Sequence, residues 1–152
     1  MTFCLHFKGL VPPWLNGHLL RLGPGKWDLK DGFTLKHWLD GCAFLVKFRI
    51  ERGRVYFSSR FLRSDAYKKM MLVDRPVFTE FGTRAHRDPT KSVFSRIVSS
   101  IAPCDLTDNN VSNIYTLNND IFVATENCNL WRIDHITLET REKVTFWTFR
   151  CA

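Results

Sequence analysis

A run of short strands in the C-terminal third constrains this chain more than any other feature. Residues 113–117, 121–125, 130–133 and 141–146 are rich in Ile, Phe, Val, Leu, Trp and Thr, and polar breaks at 118–120, 126–129 and 134–140 separate them. β-branched and aromatic side chains suit a pleated, half-buried surface, and Asn and Asp clusters turn the chain. Four short strands meandering through about 35 residues is the length of one β-propeller blade, and a sandwich with short turns reads similarly.

Residues 44–63 give the clearest hairpin. Phe44, Val46, Phe48 and Ile50 alternate with Leu45, Lys47 and Arg49. Glu51-Arg52-Gly53-Arg54 follows, with Gly53 able to take positive φ. Val55, Phe57 and Phe61 then continue the apolar face, so Lys47 and Arg49 are expected on the opposite, solvated one. Leu19 and Leu20 predict a short buried strand entering the Gly23-Pro24-Gly25 turn, and PVFTEF, 76–81, predicts another. The GPG turn is no phosphate loop, because no Lys-Ser/Thr pair follows it. Only KSVFSRIVSSIAPCDL, 91–106, has helical periodicity. Val93, Phe94, Ile97, Val98 and Ile101 fall on one face, Ser and Arg96 take the others, and Pro103 stops it. Such a segment can lie in a membrane interface or pack on the sheet, and the pattern leaves both open.

Composition narrows the class. A length of 152 residues suits one domain, and hydrophobic content of 45% with 14% aromatics can fill a core. The net charge of +7 is uneven: 44–69 holds eight bases against two acids, while 101–130 holds four acids and no Lys or Arg. The bases alternate with core residues, and no RNP-like aromatic platform or zinc spacing accompanies them, so nucleic acid is not an expected partner. The five cysteines (Cys4, Cys42, Cys104, Cys128, Cys151) form no C-x-x-C pair, which fits free thiols in a reducing compartment. The N-terminal MTFCLHFKGL does not read as a signal peptide, and no apolar run reaches about 18 residues. Asn110-Val111-Ser112 matches a glycosylation sequon and is taken as chance.

Several stretches, in order, resemble the animal branch of the carotenoid cleavage oxygenase family, which holds the β-carotene oxygenases and a retinoid isomerohydrolase. They are PPWLNGHLLRLGPG (12–25), HWLDG (37–41), RFLRSDAY (60–67), TEFGT (79–83), DPTKSVFSR (88–96), TDN (107–109), ATEN (124–127) and TLET (137–140). The resemblance runs from about Gly9 to about Phe146. It implies an all-β fold, a seven-bladed propeller with ferrous iron on its axis. Four histidines ligate the iron, and glutamates behind them hold three of these. It also implies a carotenoid or retinoid substrate reaching the iron through an apolar tunnel. Most members cleave a conjugated double bond with dioxygen, whereas the isomerohydrolase turns a retinyl ester into a cis retinol.

Residue by residue, Glu126 in ATEN matches one of the glutamates that accept the N–H of an iron-bound imidazole, which fixes its tautomer and raises its basicity. Thr125 and Phe81 match residues lining the catalytic cavity. Residues 88–106 match the membrane-docking insertion, which makes Val93, Phe94, Ile97, Val98 and Ile101 the docking face. Thr90 stands where many animal relatives have a cysteine, so docking would rest on that face and nearby bases alone.

None of His6, His18, His37, His86 or His135 falls on an iron-ligand position of the family. His37 is read as a structural partner in a turn, and His18 and His135 as surface residues. The expectation is therefore about two blades of a propeller with an amphipathic helical insertion, residues 1–152 forming the N-terminal part of a truncated domain. Fe(II) would belong to the full-length protein and none to this chain alone. A cytoplasmic, peripherally membrane-associated location is expected, with a non-catalytic membrane-associated fragment as the alternative role. Phe44, Phe48, Phe57, Phe122 and Trp131 are expected to be partly unburied for want of neighbouring blades.

Overall fold

The computed structural model describes residues 2–6, 8–86, 107–118, 120–124 and 129–145. Among the described residues the fold is all-β apart from short helical pieces, with two four-stranded antiparallel sheets. The first contains β1 (Thr2–Leu5), β2 (Gly17–Pro24), β3 (Ala43–Glu51) and β4 (Arg54–Phe61), in the order β1-β4-β3-β2. The second is a plain meander of β5 (Asn113–Leu117), β6 (Asp120–Ala124), β7 (Asn129–Ile133) and β8 (Thr140–Thr145). Its four strands stand where the sequence predicts them. In the β3–β4 turn, Arg52 and Gly53 have φ of 50° and 73°, the paired positive values whose twist matches a hairpin.

The two sheets pack face to face. Leu45, Leu62, Ile121, Val123, Trp131, Ile133 and Leu138 form the shared core, with Leu20, Leu22, Val111 and Ile114 at its margin. Each such side chain fully removed from water contributes about 1.5–3 kcal/mol. Edge strands β2 and β5 lie beside each other. A second cluster of Leu29, Leu35, Cys42 and Met70 packs with Phe61 and Tyr67, where the loop before β3 meets α1 (Asp65–Val73).

Helix α1 is absent from the sequence expectation. Ser64 caps it, its hydroxyl accepting from the Tyr67 amide at 3.1 Å, and Asp74 ends it in the left-handed conformation. Ala66 and Met70, one turn apart, are its buried pair. Nine residues with two buried positions give too short a period to stand out.

Other expectations are corrected. The closed face of the hairpin carries Ala43, Leu45 and Lys47, while Phe44, Val46 and Phe48 are half-buried. Lys47 is 6% exposed and donates to the carbonyls of His135 at 2.9 Å and Ile136 at 2.6 Å. Alternation separates two faces without saying which one is covered, and a lysine stem can cross apolar surface to reach polar caps. The strand at Leu19–Leu20 exists but is a sheet edge, with Leu19 50% exposed. Residues 76–81 form a loop rather than a strand, with backbone bonds to nearby residues: the Glu80 amide donates to the Thr83 carbonyl at 2.9 Å and the His86 amide to the Pro76 carbonyl at 2.6 Å. Trp131 is buried between the sheets, whereas Phe44, Phe48, Phe57 and Phe122 are half-buried. The amphipathic stretch at 91–106 lies outside the described residues.

Candidate functional site

The tetrapeptide Thr107–Asn110 ties the two sheets together. Thr107 donates its hydroxyl proton to Glu80 at 2.8 Å. Asp108 accepts from the Asp65 and Ala66 amides at 3.0 and 2.8 Å, at the N-terminus of α1, and from Lys143 Nζ of β8 at 2.9 Å. Burial alone would raise the Asp108 carboxyl, but these donors outweigh it and hold it below the usual range. Asn109 accepts from the Ala43 amide at 2.8 Å and donates to the Gly41 carbonyl at 3.0 Å. The Asn110 amide nitrogen donates to the carbonyls of Val123 and Asn129, at 2.9 and 2.8 Å.

This last pair matters for Glu126. Val123 and Asn129 lie on β6 and β7, before and after residues 125–128, so Asn110 ties together the two strands that flank Thr125 and Glu126 in sequence. Glu126 and Thr125 themselves lie outside the described residues. Asn110 is also the sequon asparagine, and its 0% exposure with both amide protons engaged closes it to glycosylation in the fold.

A second carboxylate cluster sits at the other end of the clamp. Asp40 accepts from the Gly82 amide at 2.8 Å, the Thr83 hydroxyl at 2.6 Å and the His37 amide at 3.1 Å. His37 caps the 3-10 helix Trp38–Asp40, its Nδ1 accepting from the Leu39 amide at 3.1 Å. Gly82 is required there, since a Cβ on it would come within 2.5 Å of His37 Cβ. Glu80 is 7% exposed, and burial pushes its carboxyl up to about 7. Bonds from Thr107 and Asn109 pull it down, and nearby Asp40 and Asp108 push it further up. The Cys42 thiol is raised to about 11 by burial and by Glu80, so it is no nucleophile at neutral pH.

Phe81, expected to line a cavity, is 76% exposed, with its ring 4.7 Å from that of His37. Val93, Phe94, Ile97, Val98 and Ile101 lie outside the described residues. His86 sits against Phe33, and His18 and His135 lie on a basic cavity. Among the described residues, no group of three or more His, Cys, Asp or Glu is arranged to hold a metal ion. These residues therefore do not fit an iron centre. Among them, no helix is long and apolar enough to cross a membrane. Cys4 and Cys42 are free.

A family described as "Retinal pigment epithelial membrane protein" matches residues 2–152. The chain belongs to this family. Mitochondrial carotenoid-cleaving dioxygenase of Mustela putorius furo is 43% identical over 93% of this chain and 26% of that protein. β,β-Carotene 15,15′-dioxygenase of Rattus norvegicus is 41% identical over 91% of this chain and 25% of that protein. The chain thus spans about a quarter of the length of these relatives. Among solved structures, cobalt-substituted apocarotenoid oxygenase of Synechocystis superposes with a TM-score of 0.75 at 25% identity, covering 92% of this chain and 28% of that one. The family's propeller explains the two sheets as neighbouring blades.

Sequence reasoning missed the buried roles of Glu80, Lys47 and Asn110. For Glu80 a signal existed: an acid between Val77-Phe78 and Phe81 invites the question of burial. Lys47 and Asn110 look like ordinary surface residues in the sequence, and only tertiary contact reveals them.

Proposed function

We propose that residues 1–152 are one wedge of a carotenoid-cleaving dioxygenase, supplying part of the cavity wall and one orienting carboxylate. The relatives at 41% and 43% identity carry this reading, since both are named as carotene- or carotenoid-cleaving dioxygenases. The reaction would be cleavage of a polyene double bond by dioxygen to apocarotenoid or retinal products. Fe(II) would be held by histidines outside this chain, and it would supply the chemistry that activates dioxygen. The part of this chain is positional. Asn110 ties β6 to β7, Glu126 between them in sequence accepts an imidazole N–H, and Phe81 and Thr125 face the substrate. The separate 152-residue chain is then inactive.

A chimera tests this directly. Residues 9–146 replace the matching quarter of the Mustela enzyme, and polyene cleavage should persist. Glu126→Ala should lower it by about 10–100-fold, the usual effect of removing a carboxylate behind a ligand histidine. A chimera indifferent to Glu126→Ala would remove the orienting role. Retinol formed from a retinyl ester, in place of cleavage products, would favour isomerohydrolase action.

We extend the proposal to peripheral membrane docking through Val93, Phe94, Ile97, Val98 and Ile101, because polyene substrates reside in lipid. Ile97→Asp with Ile101→Asp should abolish flotation with liposomes, and unchanged flotation would discard the docking face. Cytoplasmic placement is part of the same reading. Cell fractionation tests it, and the mitochondrial name of the Mustela relative makes that organelle the competing result.

A further inference from the structure

At one end of the interface between the sheets the apolar core gives way to a polar cavity. Cross-strand register builds it row by row. Leu22 and Leu45 pair in the core, the next row on that face sets Lys47 between Leu20 and Ser58, and the row beyond sets Arg49 between His18 and Tyr56. The β7–β8 turn closes over these rows and adds His135. The cavity measures about 380 Å³. That is far more than the roughly 10–15 Å³ that one water needs on the same measure.

Apart from the Tyr56 phenol, the titratable side chains that line it are all basic: Lys47, Arg49, His18 and His135. Hydroxyls of Ser58 and Tyr56 add hydrogen-bond donors. Two acids lie close by and both are paired, Asp134 with Arg141 and Glu51 with Nη1 of Arg49, which leaves Arg49 its remaining N–H groups. Arg49 is held in place by stacking on the Tyr56 ring, 4.1 Å from its centroid. Lys47 uses two of its three N–H groups on the turn carbonyls and keeps one. Burial lowers both His18 and Lys47, and the neighbouring cations lower them further. A bound anion would relieve that crowding. Donors arriving from three strands and a turn can surround a tetrahedral oxyanion with several acceptor oxygens.

We infer that this cavity is a binding site for a phosphate dianion, inorganic or a monoester, held by Lys47, Arg49, His18 and His135. The site is separate from polyene cleavage and does not depend on that reading. His18 and His135 are exposed, so the ligand enters from solvent.

The test follows the backbone amide NMR signals of β2, β3 and β4 around the cavity in the 152-residue chain, signals that every variant retains. Sodium phosphate is titrated against sodium chloride at matched ionic strength. A parallel arm uses phosphatidylcholine vesicles with and without phosphatidic acid, whose headgroup is a phosphate monoester. A saturable shift specific to phosphate is expected, weakened about tenfold or more in His18→Gln/His135→Gln with circular dichroism unchanged. The two substitutions are on exposed side chains, so the outcome does not hinge on folding, as Lys47→Met would. A response only to phosphatidic acid vesicles, lost in the double variant, assigns the headgroup as ligand and supports the site. Saturation that survives the double variant, or no specific response in either arm, overturns it.

Discussion

The two faces of the first sheet meet different fates. On one, Leu45 and Ala43 are sealed by Val123, Trp131 and Ile133 of the second sheet. On the other, Phe3, Phe57, Phe48 and Leu19 line up across four strands, and Phe3 and Leu19 are exposed. The closed face is the one that carries Lys47 and Arg49 in sequence, so burial here follows from what lies opposite and not from composition. A propeller blade is built to be covered twice, and among the described residues this one is covered fully only once.

Four predictions probe that difference. The largest effect belongs to the closed face: Leu45→Ala should cost about 3 kcal/mol in urea unfolding, within the range for a sealed leucine. A cost near that of an open-face substitution would break the comparison.

Glu80 sharpens it at the clamp between the sheets. Its folded value of about 7 stands above its ordinary 4.5, so the fold favours the protonated acid. That contribution is complete below pH 4.5 and is lost as pH rises through 7. The fold should lose about 2–3 kcal/mol across this window. Glu80→Gln should flatten the profile, and an unchanged slope in the variant would refute the assignment. Asp108, held low, acts with opposite sign and only at more acid pH.

Asn110→Ala removes the bonds to the Val123 and Asn129 carbonyls and should cost about 2 kcal/mol, with amide exchange accelerating first in β6 and β7. Loss of protection elsewhere first would show that Asn110 does not tie those strands together. The smallest effect lies on the open face. Phe48→Thr gives up one ring contact with Phe57, at 5.4 Å between centroids, and should cost about 1 kcal/mol while raising solubility. A cost matching Leu45→Ala would mean the face is covered.

Much of the fold was legible because strand periodicity is local. The meander over 113–145 and the hairpin about Gly53 follow from alternation and turn residues. What alternation could not give was the choice of face, since Leu45 and Phe48 look equally apolar until the second sheet is placed. Helix α1 was hidden by its shortness, and the 76–81 loop by its strand-forming residues. At the site, HWLDG and TDN marked the right places, but the work of Asp40 and Asn110 is tertiary. Glu126 was reached through family resemblance alone, as its turn looks solvated by local pattern.

The central claim is that this wedge orients a site it cannot complete. Iron analysis of the anaerobically Fe(II)-loaded 152-residue chain, beside the chimera described above and with β-carotene turnover on both, tests it most directly. The account predicts iron and cleavage products in the chimera, and in the chain alone iron well below one per molecule with no products. Stoichiometric, tightly held iron with polyene cleavage by the chain alone would contradict it.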